Sequence, residues 1–225
     1  MTREITVWIA RPDTDLGATH LSTTDTARAE GFRRSDDRRR FVTGRAMIND
    51  LACDFGLLPR RLRIEPRPVI PGEGKPWLVA DDGRPLPHIS LSHSGAHVVL
   101  AWSLDAEVGV DVETSTVLTG RDAAGFLGPT ELSDELDAPA LLRTFVRKEA
   151  VLKAIGLGLA VDPRRLVITP PDRPPEILSF DSPRACPVRI VDLALGGGAT
   201  AALAVCGTET PRTRVLCRVV GDRRS

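Results

Sequence analysis

Apolar and polar positions alternate from Ile5 to Ala10, through Val7 and Trp8, which predicts a first strand. From Asp25 to Asp50 the spacing becomes helical, with Phe32, Phe41, Met47 and Ile48 set among many basic groups. Past Pro59 a long helix is excluded, because Pro66, Pro68, Pro71 and Pro76, with Gly72 and Gly74, impose extended and turn geometry. The runs Ile89 to Ser94 and Val98 to Trp102, joined at Gly95, read as an antiparallel hairpin. The β-branched run Val108, Gly109, Val110, Asp111, Val112, Glu113 follows as another strand. Residues 121–127 are compatible with helix, and Thr130, followed by Glu131 and Asp134, predicts a second helix start. The strongest helical pattern runs from Phe145 to Gly156, with Gly156 and Gly158 marking its end. Leu166 to Ile168, Val188 to Val191, Ala201 to Cys206 and Val215 to Val220 read as strands, separated by a proline-rich turn at 170–175 and a glycine loop at 196–198. A strand, a long helix and then strands occur in that order in both halves, so the pattern predicts two similar α+β halves with a site at their junction.

Composition narrows the function classes. The 225 residues carry 30 basic and 30 acidic side chains, a formal net charge of zero with no like-charge tail, so broad electrostatic capture of nucleic acid is not expected. Arg3, Glu4, Arg11, Asp13 and Asp15 make the opening unlike a secretion signal, and no apolar run reaches membrane-spanning length. The expectation is a cytoplasmic protein without a membrane partner. Cys53, Cys186, Cys206 and Cys217 form neither a CxxC pair nor a zinc spacing, and read as reduced thiols, most of them buried or half-buried. His88, His93 and His97 lie close together but lack cysteine partners at a zinc-site spacing.

The chemistry gathers around Asp111 and Glu113. On a strand they point to the same side, and two such anions repel unless a divalent cation or basic side chains lie between them. Glu149 and Lys153, four apart on a helix, make either an ordinary salt bridge or part of that site; facing Asp111 and Glu113, Glu149 would complete an oxygen-rich cage suited to Mg²⁺. The hairpin can carry Ser92 and His93 close to the same carboxylates, as an anion-binding turn. Lys75, held between Gly74 and Pro76, is a candidate phosphate contact, although the glycine spacing is not that of a P-loop. Arg28, Arg33, Arg34, Arg38, Arg39, Arg40 and Arg45 form either a solvated helix face or a set from which one or two bind phosphate.

GVDVE at 109–113 followed by FVRKEAVLK at 145–153 resembles the paired signature of the 4′-phosphopantetheinyl transferase superfamily. GKPW at 74–77, SLSHSG at 90–95 and RRFVTGR at 39–45 make the chain similar to its monomeric, surfactin-synthetase-activating (Sfp) type, over about residues 25 to 170. The resemblance implies an α+β fold of two halves in a pseudo-two-fold arrangement, 1–108 and 109–225, each a small antiparallel sheet packed with a long helix. It implies transfer of 4′-phosphopantetheine from coenzyme A to a serine of an apo acyl, peptidyl or aryl carrier protein, with release of adenosine 3′,5′-bisphosphate. Such enzymes serve polyketide, nonribosomal-peptide and siderophore biosynthesis. By matching position, Asp111, Glu113 and Glu149 would hold Mg²⁺, or Mn²⁺ in its place; Glu149 and Lys153 would be catalytic; and Arg45, Lys75, Pro76, Ser92, His93 and Lys153 would contact coenzyme A. The residue reaching the 3′-phosphate from the N-terminal helix is left open among Arg28, Arg33 and Arg34. Val146 departs from the signature, which usually has a small polar residue there, and Asn49 and Asp50 stand where a Leu and Arg pair is common. A catalytically silent carrier-protein or nucleotide binder of the same fold, and a Mg²⁺-dependent nucleotide hydrolase, are the alternative readings.

Overall fold

The computed structural model describes residues 3–12, 21–70, 73–114, 125–131, 137–158, 161–182, 186–207 and 213–220. The elements are β1 (Arg3–Ala10), α1 (Thr23–Glu30), α2 (Ser35–Asp54), β2 (Leu62–Ile70), β3 (Glu73–Ala80), β4 (His88–Ser94), β5 (His97–Ser103) and β6 (Val108–Thr114), then α3 (Ala138–Ala154), β7 (Leu166–Ile168), β8 (Ile177–Phe180), β9 (Val188–Leu193), β10 (Ala199–Cys206) and β11 (Thr213–Val219). They form an α+β fold with a four-stranded sheet ordered β11-β1-β5-β4, a three-stranded sheet ordered β6-β10-β9, and two-stranded ribbons β2-β3 and β7-β8.

Strand alternation sorts the core into three layers. Ile5, Val7, Val99 and Ala101 of the larger sheet pack against Val108, Val110, Val112, Leu203 and Val205 of the smaller one. The intervening residues Trp8, Ala10, Val98 and Leu100 turn to the opposite face, where Met47, Ile48 and Leu51 of α2 cover them. On the outer face of the smaller sheet, Val146, Ala150, Val151 and Ala154 of α3 lie over Ala202 and Ala204. Full burial of one aliphatic side chain is worth about 1.5–3 kcal/mol, so these layers carry most of the fold's cohesion.

Several expectations change. The helix expected over 25–50 is broken: α1 ends at Gly31, whose N–H donates to the carbonyls of Ala27 and Arg28, and α2 restarts after Arg34. Thr130 and Glu131 lie in a turn rather than opening a helix. Glu131 spends its carboxylate on the N–H groups of Gly128 and Ile168, and α3 begins at Ala138 behind Asp137, whose side chain accepts from the N–H of Ala140. Residues 121–124 and Asp134 lie outside the described residues. Of the thiols expected to be mostly covered, Cys186 and Cys206 are half-buried, but Cys53 and Cys217 are exposed, each lying on the outward side of its helix or edge strand. The β4–β5 hairpin forms in antiparallel register as expected. The larger sheet, however, is mixed, because β11 runs parallel to β1. The expected boundary at 108/109 lies at the start of β6, and β11, from the 109–225 portion, adds to the sheet of β1, β5 and β4.

A local repeat that the sequence reading overlooked is visible at both helix exits. Gly56 and Gly156 take positive φ, the N–H of Leu57 and of Leu157 returns to the carbonyl of Ala52 and of Leu152, and a 3₁₀ turn of sequence Pro-Arg-Arg (59–61 and 163–165) leads into a strand. The N–H of Asp81 reaches the carbonyl of Arg61, and that of Asp181 reaches Arg165.

Candidate active site

The outward face of β6 presents Gly109, Asp111 and Glu113 in succession, and α3 lies across it. Helix and strand approach so closely that a Cβ on Gly109 would stand 2.0 Å from the Ala150 carbonyl oxygen and 2.3 Å from the Ala154 nitrogen. Ala202 and Ala204, opposite Asp111 and Gly109 on β10, keep the floor equally shallow. Glu149 and Lys153 adjoin Ala150 and Ala154, so this contact brings them onto the strand's carboxylates.

Lys153 Nζ donates to Asp111 Oδ1 at 2.5 Å and to Ser92 Oγ at 3.3 Å. The positive partner that Asp111 and Glu113 required is thus Lys153 in this state, rather than Lys153 pairing only along its own helix. Burial raises the pKa of Glu149; Lys153 opposes the rise, while Asp111 and Glu113 reinforce it. Burial likewise raises that of Glu113, against the hydrogen bond from Ser94 and with repulsion from Asp111. The three carboxylates are therefore electrostatic neighbours, although among the described residues no trio of His, Cys, Asp or Glu side chains converges as a ready-made metal set.

A divalent cation nonetheless fits the donors present. Asp111 Oδ2 and Glu149 Oε1 are buried without a hydrogen-bond partner, and a buried carboxylate oxygen left in that condition costs about 1–3 kcal/mol. Hard oxygen donors of this kind suit Mg²⁺, which also keeps several waters of its own.

Below the carboxylates, alternate serines of β4 stitch the two sheets together. Ser90 Oγ accepts from the Val110 N–H (3.0 Å) and Ser92 Oγ accepts from the Val112 N–H (3.4 Å). Ser92 also donates to Asp111 Oδ1 (2.8 Å), and Ser94 donates to Glu113 Oε2 (2.7 Å). The structure thus brings Ser92 to the carboxylates and adds Ser90 and Ser94, which the sequence reading had not singled out. Their signal was present in the period-two spacing of Ser90, Ser92 and Ser94. His93, one position out of phase, sits on the exposed opposite face, where desolvation, Arg40 and Lys153 lower its pKa while Asp37 opposes them.

The other expected contacts lie apart. Arg45 pairs with Asp25 at 2.9 Å, and its guanidinium stands 5.1 Å from the Phe41 ring, with that of Arg28 at 5.2 Å from the same ring. Arg28, Arg45, Asn49, Arg60 and Arg63 line a cleft of ≈ 740 Å³ between α1, α2 and β2. Lys75 Nζ donates to Glu107 (2.6 Å) and to the carbonyls of Val108 (2.7 Å) and Ala154 (3.4 Å), clamping the start of β6 to the end of α3. Pro76 is exposed on β3. Two further polar anchors on α3 fix its rotation. Arg147 makes a two-pronged contact with Asp192 (2.9 and 2.6 Å), and buried Lys148 binds Glu131 and the Phe126 carbonyl (2.8 Å).

A family profile described as the 4′-phosphopantetheinyl transferase superfamily matches residues 107–206, the span that runs from the base of β6 to the end of β10. A putative 4′-phosphopantetheinyl transferase of Synechocystis sp. is 30% identical over 166 residues, 68% of this chain and 65% of that protein. The 4′-phosphopantetheinyl transferase HetI of Nostoc sp. is 30% identical over 169 residues, 69% of this chain and 68% of that protein. The L-aminoadipate-semialdehyde dehydrogenase-phosphopantetheinyl transferase of Homo sapiens is 26% identical over 149 residues, 58% of this chain and 46% of that protein. The matched stretch therefore spans just under two thirds of the Synechocystis protein and less than half of the human one. With GVDVE on β6 and KEAVLK on α3 facing each other as described, the chain belongs to the 4′-phosphopantetheinyl transferase superfamily.

Proposed function

We propose that this chain moves the 4′-phosphopantetheine group of coenzyme A onto a serine hydroxyl of an apo carrier protein, releasing adenosine 3′,5′-bisphosphate. The observation that carries the reading is the pair of buried, unpartnered oxygens, Asp111 Oδ2 and Glu149 Oε1, beside a lysine. Asp111, Glu113 and Glu149 would hold Mg²⁺, which when bound offsets charge on the pyrophosphate oxygens.

The chain's own groups then have separable tasks. Serine is a weak nucleophile at neutral pH, and Glu149, with one carboxylate oxygen buried and unpartnered, is the group to accept the hydroxyl proton, directly or through a water. Lys153 supplies positive charge for the phosphate, and Ser92 holds Asp111 in place. His93 and the cleft of Arg45 would take the nucleotide end. Arg28 becomes the choice for the 3′-phosphate over Arg33 and Arg34, because it shares both Phe41 and the cleft with Arg45. Lys75 acts here by clamping β6 to α3, with Pro76 bordering the nucleotide.

The repeated helix exits support the two-half organisation of the monomeric, surfactin-synthetase-activating type, with 1–108 and 109–225 as its halves. Incubation with Mg²⁺, coenzyme A and apo carriers from fatty-acid, polyketide and nonribosomal-peptide systems, followed by intact mass of the carrier, tests the reading. A gain of one phosphopantetheine arm, lost in Asp111→Ala and Glu149→Ala, is the expected result. Unmodified carriers throughout the panel would overturn it.

A further inference from the structure

The sulfurs of Cys186 and Cys206 lie 3.1 Å apart, closer than two unbonded sulfurs rest in ordinary packing. Cys206 ends β10 and Cys186 precedes β9 by two residues, so the thiols meet where the β9–β10 ladder runs out beyond Val188 and Cys206. Both are half-buried against the core under α3, whereas Cys53 and Cys217 are exposed and belong to other elements. We propose that Cys186 and Cys206 are a redox-modification site, a dithiol that closes to an intramolecular disulfide under a peroxide oxidant and reopens with thiol reductants.

The chemistry balances with hydrogen peroxide as the two-electron oxidant. The Cys186 sulfur attacks one peroxide oxygen, the O–O bond breaks, and sulfenic acid and water form. Cys206 sulfur then attacks the Cys186 sulfur, the S–O bond breaks, and the departing hydroxide leaves with the Cys206 proton as a second water. Burial raises the pKa of the Cys206 thiol, and the same bridge and two waters result whichever sulfur reacts first. Proximity favours the second step over further oxidation.

The bond would bear on the active site through backbone. The Cys206 N–H donates to the Glu107 carbonyl at 2.8 Å, and the Glu107 carboxylate holds Lys75 at the base of β6. Closure would tie β9 to β10 at that end.

The test treats the full chain with hydrogen peroxide, blocks remaining thiols with N-ethylmaleimide, digests without reductant and maps peptides by mass. A peptide pair joining Cys186 to Cys206, two hydrogens lighter than its parts and released by dithiothreitol, is expected in wild type and in the Cys53→Ser, Cys217→Ser double variant. It should vanish in Cys186→Ser and in Cys206→Ser. The oxidised protein should melt roughly 5–10 °C higher than the reduced one, a difference absent from either single variant. Maleimide on both cysteines after peroxide, irreversible sulfinic acid in place of the bridge, or equal bridging to Cys53 or Cys217 would each overturn the proposal.

Discussion

Replacing Gly109 with Ala adds one methyl group at the closest point between β6 and α3. That Cβ would meet the Ala150 carbonyl oxygen at 2.0 Å, about 1 Å inside the 3.0 Å that real Cβ atoms essentially never breach, and the atoms it meets are backbone. No side chain can swing away, so the strand and helix must separate. Overpacking of this kind costs about 1–3 kcal/mol, and occasionally more, in stability. The functional loss should be larger than the stability loss, because the displaced turn of α3 carries Glu149 and Lys153, and a misplacement of about 1 Å can cost about 100-fold in rate. Urea unfolding and carrier-mass kinetics on the same preparation separate the two effects. Gly83→Ala is the control: its Cβ meets nothing within 4 Å, so it carries only the strain of a positive φ. Wild-type stability together with wild-type transfer in Gly109→Ala would refute the close approach and the site built upon it.

Glu107→Gln should destabilise the fold at pH 7 by about 1–3 kcal/mol. Burial alone would raise the Glu107 carboxyl, but bonds from His88 and Lys75 outweigh it and hold the group at about 2 against an ordinary 4.5. Its contribution is present above pH 4.5 and fades as pH falls toward 2, so the gap between variant and wild type in urea should close over that window; a constant gap would count against the ion pair. Lys148→Met should cost about 3–5 kcal/mol, because Glu131 is left buried with an uncompensated charge, and Glu131→Gln in the same chain should restore part of it; thermal melts of the single and double variants decide the matter. Lys153→Ala should lower transfer without weakening Mg²⁺ binding measured by calorimetry, since it removes the competing partner of Asp111. A loss of metal affinity equal to the loss of rate would refute that division of roles.

The α+β class was legible because strand alternation and helical spacing are local properties, whereas the residues themselves leave the meeting of β6 with α3 open and the paired signature implies it. GVDVE puts its carboxylates and its glycine on one face whatever lies opposite, and KEAVLK does the same on a helix. The element ends were less legible. Gly31 interrupts a run whose apolar spacing continues through it, and Glu131, which looks like a first-turn acid, is consumed by the nearby Gly128 N–H and by two distant partners, the Ile168 N–H and buried Lys148. Position 75 shows the same limit: a lysine between glycine and proline looks poised for phosphate, yet its ammonium is held by Glu107 and two carbonyls from elements far away in sequence. The meeting of Cys186 with Cys206 depends on strand register, which their spacing does not reveal.

The parallel pairing of β11 with β1 has a consequence for synthesis. Strand β1 ends up between β5 and β11, which lies about 200 residues further along the chain, so its second ladder stays open until residues 213–219 have emerged. Translation at about 5–20 residues per second leaves that edge waiting for on the order of ten seconds or more. An unpaired edge rich in Ile5, Val7 and Ile9 is a template for other chains in that interval. The exposure of this protein to aggregation is therefore greatest on the polysome, where many copies of that open edge stand close together, and falls once β11 has closed the sheet.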